Sequence, residues 1–111
     1  MSHVLALLNE MRGRLPMYLG TSSITKLAAF LRGYEYALSK LGQDETDDVL
    51  TEFRDWVHRR FQTTRYSWED TILRHSDDEA DAVKRFWELL DEFIKERHNG
   101  AVPGQAATTG S

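Results

Sequence analysis

Between Ser76 and Gly100 the chain carries Val83, Phe86, Trp87, Leu89, Leu90, Phe93 and Ile94 at helical spacing. Placed at about 100° per residue, they cover roughly half of a helix circumference. A surface helix hides only about a third. The spacing therefore predicts one long helix wrapped by neighbours on several sides, with Trp87 buried at the centre of its widest face. Ser76 followed by Glu79 has the pattern of a capping box, in which each side chain satisfies a free backbone N–H. Asp77 and Asp78 suit the positive end of the helix dipole, and Arg97 and His98 the negative end. Gly100 suits the position just past the last turn.

Four further helices follow from the same reasoning. Val4, Leu5, Leu8 and Met11 share one face of a helix over about residues 2–12, which Gly13 and Pro16 stop. The connecting stretch 15–21 holds Met17, Tyr18 and Leu19, and the cost of leaving three apolar residues in water predicts that Tyr18 and Leu19 pack on the core. A second helix is expected from Ser23 to Leu41, with Ser22 as N-cap and Gly42 as terminator. Gly33 lies inside it at a cost of about 1 kcal/mol relative to Ala, which points to close approach of another helix, with a hinge or a ligand contact as the alternative. A third helix is expected from Asp47 to Gln62 on a stripe of Val49, Leu50, Phe53, Val57 and Phe61, with Trp56 at its edge. A short one, Trp68–Arg74, starts at Ser67. No alternating strand pattern and no repeat occurs. The expected fold is all-α: a compact bundle of about five helices in a single domain over residues 1–98, with a flexible tail over 99–111.

Composition narrows the function. The 111 residues suffice for one core without metal or crosslinks. Absence of Cys removes disulfides, thiolate metal sites and thiol nucleophiles, and fits a cytoplasmic location. No apolar run approaches the roughly 20 residues of a membrane span, and the N-terminal MSHVLALLNEMRGR is not expected to be a signal peptide. A net charge of −4 argues against general nucleic-acid binding. The histidines lack HExxH spacing, the acids cluster at helix starts where capping explains them, and no phosphate loop or nucleophile motif is present. No catalytic residue, metal site or cofactor is expected.

The acids are more informative as a surface. Asp44, Glu45, Asp47 and Asp48 form one cluster, and Asp77, Asp78, Glu79 and Asp81 a second; together they hold eight of the 18 acidic residues. Each cluster also reads as a solvated helix start. Alternatively they steer a basic partner by long-range attraction. Tyr36, Tyr66 and Trp68 are candidate aromatic anchors beside them, or core residues.

The stretch MRGRLPMYLG resembles the R-x-R-P-x-M-Y-I-G segment near the start of the DNA gyrase B-subunit ATPase domain, with Arg12, Arg14, Met17, Tyr18, Leu19 and Gly20 in place and Pro16 displaced by one. The rest of the chain lacks that family's Asn-bearing helix and glycine-rich lid, so ATP binding does not carry over. A fuller resemblance, across most of residues 11–93, is to small bacterial proteins of unassigned function. It rests on Met17–Gly20, LAAFLRGY over Leu27–Tyr34, Trp56, Trp68 and FWELLDEF over Phe86–Phe93. In size, acidity and helical character the chain is also similar in type to bacterial immunity proteins, which bind and neutralise a toxin. The function expected is non-enzymatic protein binding, with an immunity-type inhibitor covering a basic site on its toxin as the leading case. A regulatory or adaptor subunit is the alternative, and a small enzyme comes third. Homo-oligomerisation is left open.

Overall fold

The helical periodicity becomes six helices in the computed structural model, which describes residues 3–42 and 49–101. They are α1 (His3–Met11), α2 (Leu15–Leu19), α3 (Ile24–Lys40), α4 (Val49–Arg60), α5 (Trp68–Arg74) and α6 (Glu79–Ala101), and no strand occurs among the described residues. The class is the expected all-α bundle, with one helix more. That extra helix is α2, in the stretch read as a loop. Pro16 sits in its first turn, where a missing N–H costs nothing. Gly20, at φ 82°, closes it by donating its N–H to the Pro16 carbonyl.

One turn of helix spreads consecutive residues about 100° apart, so they cannot all face inward. Leu15 is buried and Leu19 packs against the core, but Met17 is 79% exposed and Tyr18 37% exposed. The Tyr18 hydroxyl donates to Glu10 instead, at 3.3 Å. The expected burial thus holds for Leu19 and fails for Tyr18.

The core is organised by α5 and by one ring. Short as it is, α5 packs against α3, α4 and α6, and its Thr71 and Ile72 are fully buried. Thr71 meets its polar needs within the helix, donating both its N–H and its hydroxyl to the Ser67 carbonyl. Phe53 of α4 lies within 5.4–6.0 Å of the rings of Trp56, Trp68, Phe86 and Phe93, mostly edge to face. Such geometry adds roughly 0.5–1.5 kcal/mol per pair beyond area burial. Along one side, Glu52 with Arg97, Trp56 with Glu96 and Arg60 with Glu92 pair in reverse order, so α4 and α6 run antiparallel.

Along α6 the buried residues are Ala82, Val83, Phe86, Leu89, Leu90 and Phe93. At about 100° per residue this arc spans roughly a third of the circumference, with Phe86 at its middle. Trp87 falls at its edge and is half-buried, which corrects the expectation that it is the central residue. The helix also continues to Ala101, three residues past the expected domain boundary at 98. Among the described residues no helix is long and apolar enough to cross a membrane.

The caps differ from those expected. Ser23, not Ser22, caps α3 by accepting the Lys26 N–H at 3.1 Å. Ser76 does not cap α6: it sits in the closing turn of α5 and donates its hydroxyl to the Ile72 carbonyl. The capping exchange at α6 shifts two residues on. Asp78 accepts the Asp81 N–H at 2.8 Å, and Asp81 accepts the Asp77 N–H at 2.9 Å. Glu79 is thereby released to reach the start of α3. There it accepts the Thr25 N–H at 3.1 Å, the Thr25 hydroxyl at 2.8 Å and the Ser23 hydroxyl at 2.8 Å.

Gly33 is not a close-approach glycine. It is exposed, and a methyl group at its Cα meets no atom within 4 Å. Only the entropic cost of glycine remains, so Gly33→Ala should stabilise the protein by about 1 kcal/mol. In a urea titration the midpoint should rise with an unchanged slope. A lower midpoint would mean that the site needs glycine for a reason other than room.

Candidate partner-binding site

On α3, Leu27, Ala28 and Leu31 are buried, Glu35 continues their face one turn on and is half-buried, and Arg32 and Tyr36 stand exposed beside it at i and i+4. Opposite them stand Arg54, next to the buried Phe53 of α4, and the first residues of α5, Trp68 and Glu69. Arg32, Glu35, Tyr36, Arg54 and Trp68 line an open cleft of about 470 Å³. Two ion pairs tie its walls together. Arg32 Nη2 donates to Glu69 Oε2 at 2.7 Å, joining α3 to α5, and Arg54 donates to Glu35, joining α4 to α3. Glu69 is buried, and its second oxygen, Oε1, has no partner among the described residues.

Tyr36 stands on the rim, 64% exposed. Its ring carries the Lys40 ammonium 5.5 Å from the centroid, and Leu41, the residue after Lys40, is also exposed. A rim of this kind offers a large, stiff aromatic surface to a partner, with two locked charge pairs behind it. Glu35 and Glu69 are each paired with an arginine.

The residues expected at the site divide. Tyr36 and Trp68 come together in the cleft, but Trp68 is 5% exposed and packs on Phe53 and Phe86 at 5.9 and 5.7 Å. It is a core residue forming the cleft floor and not a projecting anchor, because α5 is wedged between three helices. Tyr66 is half-buried and lies outside that lining, with the guanidinium groups of Arg74 and Arg65 at 3.8 and 5.5 Å from its ring centroid. Asp44, Glu45, Asp47 and Asp48 lie outside the described residues. Asp77, Asp78 and Asp81 are at the α6 start, where hydrogen bonding accounts for Asp78 and Asp81 as caps.

Glu79 anchors that α6 start to the beginning of α3, whereas Gly42 follows the end of α3. The 17 residues of α3 separate these two points by about 25 Å. Arg32, Glu35, Arg54 and Glu69 were not foreseen. Their signal was the i, i+3, i+4 spacing of Arg32, Glu35 and Tyr36, polar side chains on a helix otherwise read only for its apolar stripe.

Two of the four histidines are tied to carbonyls. His58 Nε2 donates to the Tyr66 carbonyl at 2.7 Å and His75 Nδ1 to the Thr71 carbonyl at 2.9 Å, which places a proton on each of those nitrogens. Among the described residues no group of three or more His, Asp or Glu side chains is arranged to hold a metal ion. Comparison with protein-family models, with curated proteins and with solved structures gave no match to this chain.

Proposed function

We propose that this chain is a protein-binding domain of the cytosol that holds its partner on the α3–α4–α5 face and carries out no chemistry of its own. The observation that carries the reading is Tyr36: a large aromatic left 64% exposed on the rim of a cleft whose walls are pinned by two interhelical ion pairs. A stiff aromatic on a rigid rim loses little entropy on binding, and Tyr is among the residues that dominate interface energies. The four carboxylates within 44–48 follow α3 directly in the chain and favour a basic partner. Occlusion of a basic toxin site, in the manner of an immunity protein, is the specific case we favour.

Two measurements test it. With the partner isolated from the native cytosol, Tyr36→Ala should weaken binding about tenfold or more while leaving the melting temperature within a few degrees. Asp44→Asn with Glu45→Gln should lower the association rate and flatten its salt dependence. A partner that binds Tyr36→Ala as well as the parent removes this face from the reading. For the inhibitory case, co-expression should rescue cells from a toxic partner; a partner whose activity is unaffected points to an adaptor instead.

A further inference from the structure

A second surface stands apart from that cleft. Along α6, Ala80, Trp87 and Ile94 recur every seven residues and so lie on one line of the helix. The line runs just beside the buried arc: Ala80 is exposed, Trp87 half-buried and Ile94 36% exposed. Against its first half lies a groove of about 460 Å³ whose apolar lining includes Leu15, Pro16, Val83 and Trp87. Exposed Met17 projects from α2 next to Pro16. Arg12 covers one side of the Trp87 ring at 5.3 Å and is held there by two hydrogen bonds to Asp91, at 2.7 and 2.6 Å. Outside this apolar line are Lys84 and Glu88, both exposed and one turn apart. Among the described residues neither has an ion-pair partner, and Lys preceding Glu is the weaker order for pairing within a helix.

We propose that this edge of α6 docks a second copy of the chain, the two α6 helices lying antiparallel about a two-fold axis near Trp87. A two-fold interface is one patch meeting itself, so the patch must be self-complementary. Reversing the helix about Trp87 satisfies that condition. Ala80 comes level with its partner's Ile94, and Trp87 with its counterpart. Lys84 comes level with the acidic turn that holds the partner's Glu88 and Asp91. Each Lys84 then gains in the partner's Glu88 a carboxylate that it lacks among the described residues of its own chain, and the exposed apolar line is covered. The seven-residue repeat is the spacing at which one helix keeps a constant line toward another.

Sedimentation equilibrium on the full chain, from about 1 μM to about 1 mM, covers the range in which a dimer of modest affinity dissociates. The parent should dimerise across that range. Lys84→Glu places like charges together at two symmetry-related points and should weaken the dimer roughly tenfold. Lys84→Glu combined with Glu88→Lys should recover most of that loss. Ile94→Glu, at an exposed position that spares the fold, should leave a monomer throughout, with an unchanged melting curve as control. A parent that stays monomeric to about 1 mM, a double variant no better than Lys84→Glu alone, or a dimer indifferent to Ile94→Glu overturns the proposal.

Discussion

Phe86→Ala should remove about 3–5 kcal/mol of stability, and Trp87→Ala, one residue along, only about 1–2 kcal/mol. The contrast follows from register. Phe86 is 0% exposed, at the middle of the buried arc of α6, with Phe53 and Trp68 at 5.6 and 5.7 Å. Its removal leaves a cavity among side chains that are themselves wedged. Trp87 stands at the edge, with one face toward the α2 groove and Arg12 over its ring. Its loss gives up partial burial and a cation–π contact of about 0.5–1 kcal/mol. A domain of this size is stable by about 5–15 kcal/mol, and each kcal/mol shifts its melting point by roughly 4–8 °C. Phe86→Ala should therefore melt at least about 12 °C below the parent, a gap that circular dichroism resolves. Equal losses from the two variants would place the arc on the wrong side of α6.

The second large effect is at Glu79. Burial opposes its ionisation and is the largest single influence, but the Thr25 N–H and hydroxyl, the Ser23 hydroxyl and the Ile24 N–H outweigh it and hold its carboxyl below the ordinary value. These donors surround the N-terminus of α3, where a negative charge is favoured and where free N–H groups need acceptors. Glu79→Ala should cost about 2 kcal/mol, in the range for hydrogen bonds to charged groups in a half-buried site.

The pH dependence has a definite sign. A carboxyl whose folded value lies below its unfolded one contributes stability that is present above the unfolded value, 4.5 for Glu, and is lost as pH falls through the folded value. Asp91 adds in the same direction, lowered first by its hydrogen bonds from Arg12, although that pair is solvent-exposed and worth less. The parent should lose stability below about pH 4.5, and Glu79→Gln should flatten that decline. Parallel acid profiles for the two proteins would show that Glu79 carries no such charge-dependent bond.

These two cases mark how far the sequence could be read. Helix positions were legible wherever apolar spacing and a terminator agreed. The α5 helix runs from Trp68 to Arg74 as expected, and α3 ends before a Gly42 at φ 70°. The centre of α6 was misjudged because Trp87 and Ile94 extended its apolar arc on one side only; both lie next to the core and not in it. Capping failed for a different reason. Ser76, Asp77, Asp78 and Glu79 all have side chains able to cap, and local spacing cannot tell which will be drawn away by another helix. At the cleft, Tyr36 was legible as a candidate because it falls outside the α3 stripe. The pairing of Glu35 with Arg54 and of Arg32 with Glu69 depends on how three helices meet, which no local pattern encodes.

The reach of Glu79 across to α3 has a consequence in time. Thr25 and Glu79 are 54 residues apart in the chain. A ribosome adding about 5–20 residues per second needs roughly 3–10 s to make that stretch. During that interval α3 lacks the carboxylate that completes its first turn, and Phe53, made about halfway through it, waits for the rings of Phe86 and Phe93. The early helices are thus born as an open half-bundle with apolar faces toward water, and the last helix to emerge both fills the core and closes the first end of α3.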